Sequence, residues 1–349
     1  MKCLPLSLLV SSLLLPSLVS AQNPKETLLA LSKRDHSLAI VDPTTLKVLA
    51  KIPVGNDPHE VIASADGKTA WVSNYGFGSF NTLAAIDLVA QKPLSAVDLG
   101  ALRGPHGLDF QGGKVWFTAE AAKVIGSYDP ASGKIDFILG TGQNRTHMIW
   151  VAPDLKRIVT TNVNSGTVSI IEKVIRPQGP PPGGNAMQPP PGPPPGPPVP
   201  DWDETVVKVG SRSEGFDVSP DQKEIWVANA GDGTVSIINM ASKSVTDTLS
   251  ADVRGANRLK FTPDGSRVLI SSLGNPDLVV LDVATHKEVR RVHVGRGSAG
   301  IQMQPDGKRA FVACSPDNYV AVIDLQTYEV TSRLDVGPEP DGLAWAVQH

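Results

Sequence analysis

Cysteine is nearly absent from this chain of 349 residues. Cys3 and Cys314 are the only two. Aromatic residues make up 5% of the chain, and the formal charge is −3, from 32 basic and 35 acidic residues. Each shortage excludes something. Two cysteines so far apart cannot provide a disulfide framework or a Cys-x-x-Cys metal or haem motif. A slightly acidic balance removes the electrostatic footprint of a nucleic-acid-binding domain, so a nucleic-acid partner is not expected. Beyond the N-terminus no run approaches the roughly 20 apolar residues of a membrane span. No segment sustains a 3.6-residue apolar period, so helices should be nearly absent. Nor is there a Gly-x-Ser-x-Gly elbow, a P-loop or a dinucleotide fingerprint.

The first 21 residues have a different character. Lys2 precedes an apolar run from Leu4 to Val19, and Val19-Ser20-Ala21 supplies the small residues that a signal peptidase reads. This predicts cleavage after Ala21 and a periplasmic or secreted mature chain. Cys314 is then its only cysteine, placed at a strand end as a structural thiol.

The remainder is repetitive. Seven segments share a pattern, among them GPHGLDFQGGKVWFTAE (104–120), THMIWVAPDLKRIVTTN (146–162) and SEGFDVSPDQKEIWVAN (213–229). The centres of their second apolar runs are Leu29, Trp71, Trp116, Val159, Trp226, Leu269 and Phe311. Successive spacings are 42, 45, 43, 67, 43 and 42 residues. The outlier contains a proline-rich insert, residues 177–200, with 13 prolines among glycines. That composition favours extended polyproline II over a packed core and is expected to form a disordered surface loop, between third strand 167–172 and fourth strand 204–209. Four short strands per unit of about 42 residues is the arithmetic of a propeller blade. The C-terminus matches only a first strand, and the N-terminus only second to fourth strands. Together they complete a seventh blade. The expected fold is all-β: a seven-bladed β-propeller of four-stranded antiparallel blades, residues 22–349, closed by its own termini and monomeric.

The copies PDGKRAFVACSPDNYVAVID (305–324) and PDQKEIWVANAGDGTVSIIN (220–239), with links such as Val336-Gly337-Pro-Glu-Pro-Asp-Gly342, resemble the YVTN-type propeller repeat. The resemblance implies the fold and an exported or surface location, and leaves the activity open.

First strands of propeller blades line the central channel, so their starts meet at one mouth. Alignment of the copies puts His59, His106, His147, Glu214, Asn257, Ala299 and Asp341 at one position. Imidazole and carboxylate together suit zinc, copper, iron or nickel, so His59, His106, His147 and Glu214 form a candidate site for one divalent metal ion. Arg103, Arg145, Arg212, Arg254 and Arg296 recur in the links just before the first strands. With Asn257 and Asp341 they are candidate ligand-binding residues for an anion, or partners of local acids. The copy at 104–120 also resembles the streptogramin-lyase type of repeat, which implies His106 as a base and Glu120 as a metal ligand. Three readings follow: a binding protein presenting its mouth to a small ligand or a protein or cell-envelope partner, a metal-dependent hydrolase or lyase of lactonase or streptogramin-lyase type, and a cell-wall or nucleic-acid contact protein.

Overall fold

The computed structural model of the protein describes residues 24–177 and 197–349. The predicted signal segment and residues 178–196 of the proline-rich insert lie outside the described residues.

Seven antiparallel sheets surround a common axis. Blade 1 is composite. Its innermost strand, Pro340–Val347, pairs antiparallel with Glu26–Ser32, followed by Ser37–Asp42 and Lys47–Pro53. Blades 2 to 7 begin at Pro58, Pro105, Thr146, Ser213, Ala256 and Ser298. Pairing the chain ends within one sheet closes the ring and leaves neither terminal strand as an open inner edge. The described residues contain only two short 3₁₀ turns as helix, Gly76–Gly78 and Ser315–Asp317. No helix among them is long and apolar enough to cross a membrane.

Two details depart from the expected strands. The third and fourth strands of blade 4 run as Thr167–Arg176 and Val199–Lys208, several residues further than the repeat requires, with Ile175 opposite Pro200. This long hairpin carries the chain past the turn at Asp154, and the insert departs from its tip. In blade 2 the fourth strand is split into Lys92–Pro93 and Val97–Asp98. Pro93 has no amide hydrogen to donate, so it weakens the ladder where the split begins.

Burial follows strand order. Second and third strands are almost wholly buried, whereas outer strands such as Lys134–Gly140 and Ser244–Ser250 alternate exposed and half-buried positions. The core therefore lies between blades. Trp71 of blade 2 stacks on Phe110 of blade 3, with centroids 5.5 Å apart, and Trp226 of blade 5 meets Phe261 of blade 6 edge-on. Cys314 is completely buried, which pushes its thiol up to about 12 and leaves it inert as a nucleophile at neutral pH.

The inner strands set the geometry of the channel. Each carries a register shift close to its start, between residues such as Pro58 and Val61 or Thr146 and Ile149. The residue just before each inner strand is left-handed in all seven blades: Asp57, Gly104, Arg145, Arg212, Gly255, Gly297 and Glu339. Its carbonyl accepts a hydrogen bond from the backbone N–H of the residue that follows, or nearly follows, the second strand. Those donors are Tyr75, Glu120, Val163, Ala230, Leu273, Ser315 and Lys33 in the same blade order. Two concentric rings of side chains thus ring the mouth, one from the inner strand and one from the end of the second.

Candidate functional site

The inner ring is the one expected from the repeat. His59, His106, His147, Glu214, Asn257, Ala299 and Asp341 are all buried, none more than 9% exposed, and all line one chamber of about 600 Å³. The next residue in each inner strand is Glu60, Gly107, Met148, Gly215, Arg258, Gly300 or Gly342. Two of the four glycines illustrate why no larger residue stands there. A Cβ on Gly107 would lie 2.5 Å from the carbonyl oxygen of His147, and one on Gly300 would lie 2.2 Å from that of Asp341. Adjacent inner strands approach this closely only without a side chain between them. Glu60 and Arg258 stand on opposite sides of the ring and meet as a buried ion pair. Arg258 also donates through Nη1 to the carbonyl and side-chain oxygens of Asn257, at 3.0 and 3.2 Å. This bar floors the chamber and separates it from a second cavity of about 280 Å³ deeper in the channel, which Arg258 also lines.

The blades are tied together at the same level. The hydroxyl of Thr118 accepts the amide of Gly107 in its own blade and donates to the carbonyl of His147 in the next, at 2.9 and 2.7 Å. Ser73 makes the equivalent link from Glu60 to His106. These relays fix His106 and His147 relative to one another, with ring centroids 3.8 Å apart.

Glu120 stands beside this pair. Its Oε1 accepts from His147 Nδ1, its Oε2 accepts from the Tyr75 hydroxyl at 2.5 Å, and Arg145 Nε is 3.4 Å away. On the other side of His147, Nε2 is 2.9 Å from Glu214 Oε1, an ion-pair contact off the hydrogen-bond direction. His59 faces elsewhere. Its Nε2 is 3.0 Å from Lys33 Nζ, and Lys33 reaches Asp57 and Asp341, each at 3.4 Å.

Burial and charge divide the histidines. Burial disfavours a proton on His106, neighbouring cationic groups add to this, and its pKa lies well below the ordinary imidazole value. Burial also opposes a charge on His147, but Glu214 and Glu120 outweigh it, and its pKa is raised. Burial opposes charge on Glu214 too, yet His147 and the nearby arginines hold its carboxyl down at about 2. Glu120 is lowered, with burial again overcome by His147 and Tyr75. Burial and Glu120 together raise the Tyr75 phenol, which stays protonated and serves as a donor.

A metal ion fits this donor set. One ligand atom from each of His106, Glu120 and His147 lies within 4.8 Å of the other two, and all three residues are buried. Nδ1 of His106 is buried without a hydrogen-bond partner. A neutral, partnerless imidazole nitrogen beside a carboxylate is a metal-ligand environment, and an orphaned buried polar atom calls for a reason. Glu214 stands behind His147, where a carboxylate orients a ligating imidazole through its other nitrogen.

The structure brings together His106, His147, Glu120 and Glu214. It sets His59 apart on Lys33, although the His59 and His106 rings are 5.0 Å apart by centroid. Of the five arginines only Arg145 lines the chamber. Arg145 and Arg212 occupy the left-handed position before the inner strand, whereas Arg103, Arg254 and Arg296 lie one residue earlier, before Gly104, Gly255 and Gly297. The series therefore mixes two structural positions. Arg254 bonds the carbonyl of Gly231, Arg296 pairs with Asp317, and Arg103 and Arg212 are exposed. Sequence reasoning missed Lys33, Tyr75 and Arg258. Glu120 is not equivalent to Asn74, Asn162 and Asn229, the last residues of the copies in blades 2, 4 and 5, because those residues end their second strands, as Ala119 does. Glu120 belongs with Tyr75 and Lys33 one residue later. Blade 3 has a shorter first hairpin, turning at Gly112-Gly113, and counting from the strand end would have shown the second ring.

A family model described as a YNCE-like beta-propeller matches residues 200–303. No curated protein matches the chain in sequence. Similar solved structures include a functionally unknown protein from Desulfotomaculum acetoxidans, with 12% identity, TM-score 0.72, and coverage of 93% of this chain and 99% of that one. Hydrazine synthase of Kuenenia stuttgartiensis is similar at 19% identity and TM-score 0.67, over 85% of this chain and 92% of that chain. A Bacteroides fragilis protein provisionally assigned as a 6-phosphogluconolactonase gives 16% identity and TM-score 0.67, over 93% and 99%. At these identities the likeness is one of fold.

Proposed function

We propose that the protein, exported as its N-terminus implies, takes a small ligand into the mouth chamber through one divalent transition-metal ion held by His106, His147 and Glu120. The observation that carries this reading is the buried cluster in which one donor atom from each of His106, His147 and Glu120 lies within 4.8 Å of the others, with Nδ1 of His106 left without a hydrogen-bond partner. His147 would ligate through Nδ1, which faces Glu120, leaving Nε2 towards the carboxylate of Glu214. Nitrogen and oxygen donors favour zinc, cobalt, nickel or iron over calcium or magnesium. When bound, the metal supplies Lewis acidity to a ligand carbonyl or carboxylate. Tyr75 and Arg145 hold Glu120 in place, and the Glu60–Arg258 bar prevents a ligand from passing down the channel.

A second reading, a metal-dependent hydrolase or lyase with His106 as the base and Glu120 as the ligand, is favoured by the neutrality of His106. The two readings give His106 different duties. Purified protein dialysed against Zn²⁺ or Co²⁺ should hold one equivalent by elemental analysis. Loss of metal in both His106→Ala and His147→Ala supports ligation by both. Metal retained in His106→Ala but lost in His147→Ala moves His106 to the role of base. A metal-free wild type refutes both readings.

A further inference from the structure

The metal-binding arc occupies less than half of the mouth. His106, Glu120, Arg145, His147 and Glu214 all come from blades 3 to 5. The facing arc, from blade 6 through blades 7 and 1 to blade 2, is built differently. Its inner ring includes Ala299, the single small apolar member, beneath Pro316 of the blade 7 loop. Its outer ring places Leu273 in blade 6 at the position that Glu120 holds in blade 3, and Leu273 is 55% exposed. Blade 2 contributes Phe77, which is 83% exposed, the most exposed large apolar side chain among the described residues.

Isolated exposed apolar residues are ordinary on a protein surface. These three differ because they come from three separate loops and line one chamber. Phe77 is also held in an unfavourable backbone state. Its φ is +50°, between Gly76 and Gly78, which are left-handed too. A bulky residue rarely adopts that conformation, and here it sets the ring edge-on to His59, 6.4 Å away, and 5.8 Å from Tyr75. A glycine or asparagine would satisfy the turn without strain, so the aromatic ring is the costly choice at this position. Blade 1 places charged groups between the apolar members: Lys33 is engaged by Asp57 and Asp341, and Arg34 by Glu339.

A chamber with a chelating side and, among paired charges on the remaining arc, apolar side chains from three loops suits an amphipathic occupant. We infer that the ligand is a small organic acid or chelator with a ring-bearing apolar body: its oxygen head group reaches the metal on blades 3 and 4, and its body lies between Phe77, Leu273 and Pro316. This rests on the metal reading proposed above. The chamber volume of about 600 Å³ is of the size that takes a drug-sized molecule.

The test uses two hydroxamates that share a metal-binding head and differ in the body, acetohydroxamate and benzohydroxamate, titrated into the Zn²⁺-loaded full-length protein. Burying a phenyl ring against Phe77 and Leu273 should make benzohydroxamate bind about tenfold more tightly or better. In Phe77→Gly and in Leu273→Ser that ratio should fall severalfold towards one, with zinc content and acetohydroxamate affinity unchanged. Phe77→Gly removes an exposed ring and relieves the left-handed strain, so it should fold as well as the wild type. A ratio near one in the wild-type protein, or a high ratio that survives both substitutions, overturns the inference while leaving the metal centre intact. Protein that holds no zinc overturns the metal reading itself, and this inference with it. A zinc-loaded protein that binds neither hydroxamate overturns the ligand class alone.

Discussion

Metal binding at this mouth should release a proton from His147. In the metal-free chain the imidazole sits between two carboxylates, with Nδ1 on Glu120 and Nε2 2.9 Å from Glu214. Its pKa is raised above the ordinary 6.5, whereas that of His106 is lowered and those of Glu120 and Glu214 are depressed. The sign follows from these directions. Below the raised value His147 carries two protons, and a metal at Nδ1 must displace one of them. His106 is already neutral and both carboxylates are already ionised, so neither contributes. About one proton should therefore leave per metal ion below that raised value, and affinity should rise about tenfold per pH unit until the pH passes the folded-state pKa of His147, then level off. Replacing Glu214 by Gln removes the charge beside Nε2 that helps to raise the imidazole, so the pKa of His147 falls. The plateau should then begin at correspondingly lower pH. Isothermal titration of Zn²⁺ in buffers of different ionisation enthalpy gives the proton count directly. The count should approach one as the pH falls below the ordinary imidazole value, fall towards zero at higher pH, and be smaller at the same pH in Glu214→Gln. Zinc binding at pH 6, below even the ordinary imidazole value, with no proton released refutes the assignment of His147 as a ligand that is protonated before the metal binds.

Two further outcomes concern the frame of the site. Arg258→Met strands the carboxylate of Glu60 and should cost about 3–5 kcal/mol, while the double substitution Glu60→Gln, Arg258→Met should recover most of it, as read from denaturant midpoints of the wild type and the two variants. Equal losses in the single and double variants would remove the bar from the structural account. Gly107→Ala puts a methyl group 2.5 Å from the His147 carbonyl and 2.7 Å from the Met148 Cα, so blades 3 and 4 must separate. It should destabilise by about 1–3 kcal/mol and weaken metal binding, whereas Gly113→Ala, with open space around it, should leave metal binding unchanged.

Much of this molecule was legible in one dimension because a propeller repeats its local rules. The 42-residue period, the Gly-bearing turns and the alternating runs specify seven four-stranded blades, and incomplete motifs at each end predict the shared blade that Pro340–Val347 and Glu26–Ser32 form. The inner ring followed from the same register, since every blade places its first-strand start at one radius. That is why His59, His106 and His147 could be grouped although each lies tens of residues from the next. What the repeat could not convey were the differences between blades. A hairpin shortened in blade 3 shifts Glu120 from the strand-end position to the outer ring, beside Tyr75 and Lys33. Of the arginine series only Arg145 enters the chamber: Arg103, Arg254 and Arg296 lie one residue earlier, and Arg212, at the position of Arg145, is exposed. The local sequence determined where side chains sit along each strand. Which of them meet depended on the angular order of the blades, on the shift at each inner strand and on distances across the channel. Thus Glu60 finds Arg258 198 residues away, and His147 lies between carboxylates from the blades on either side.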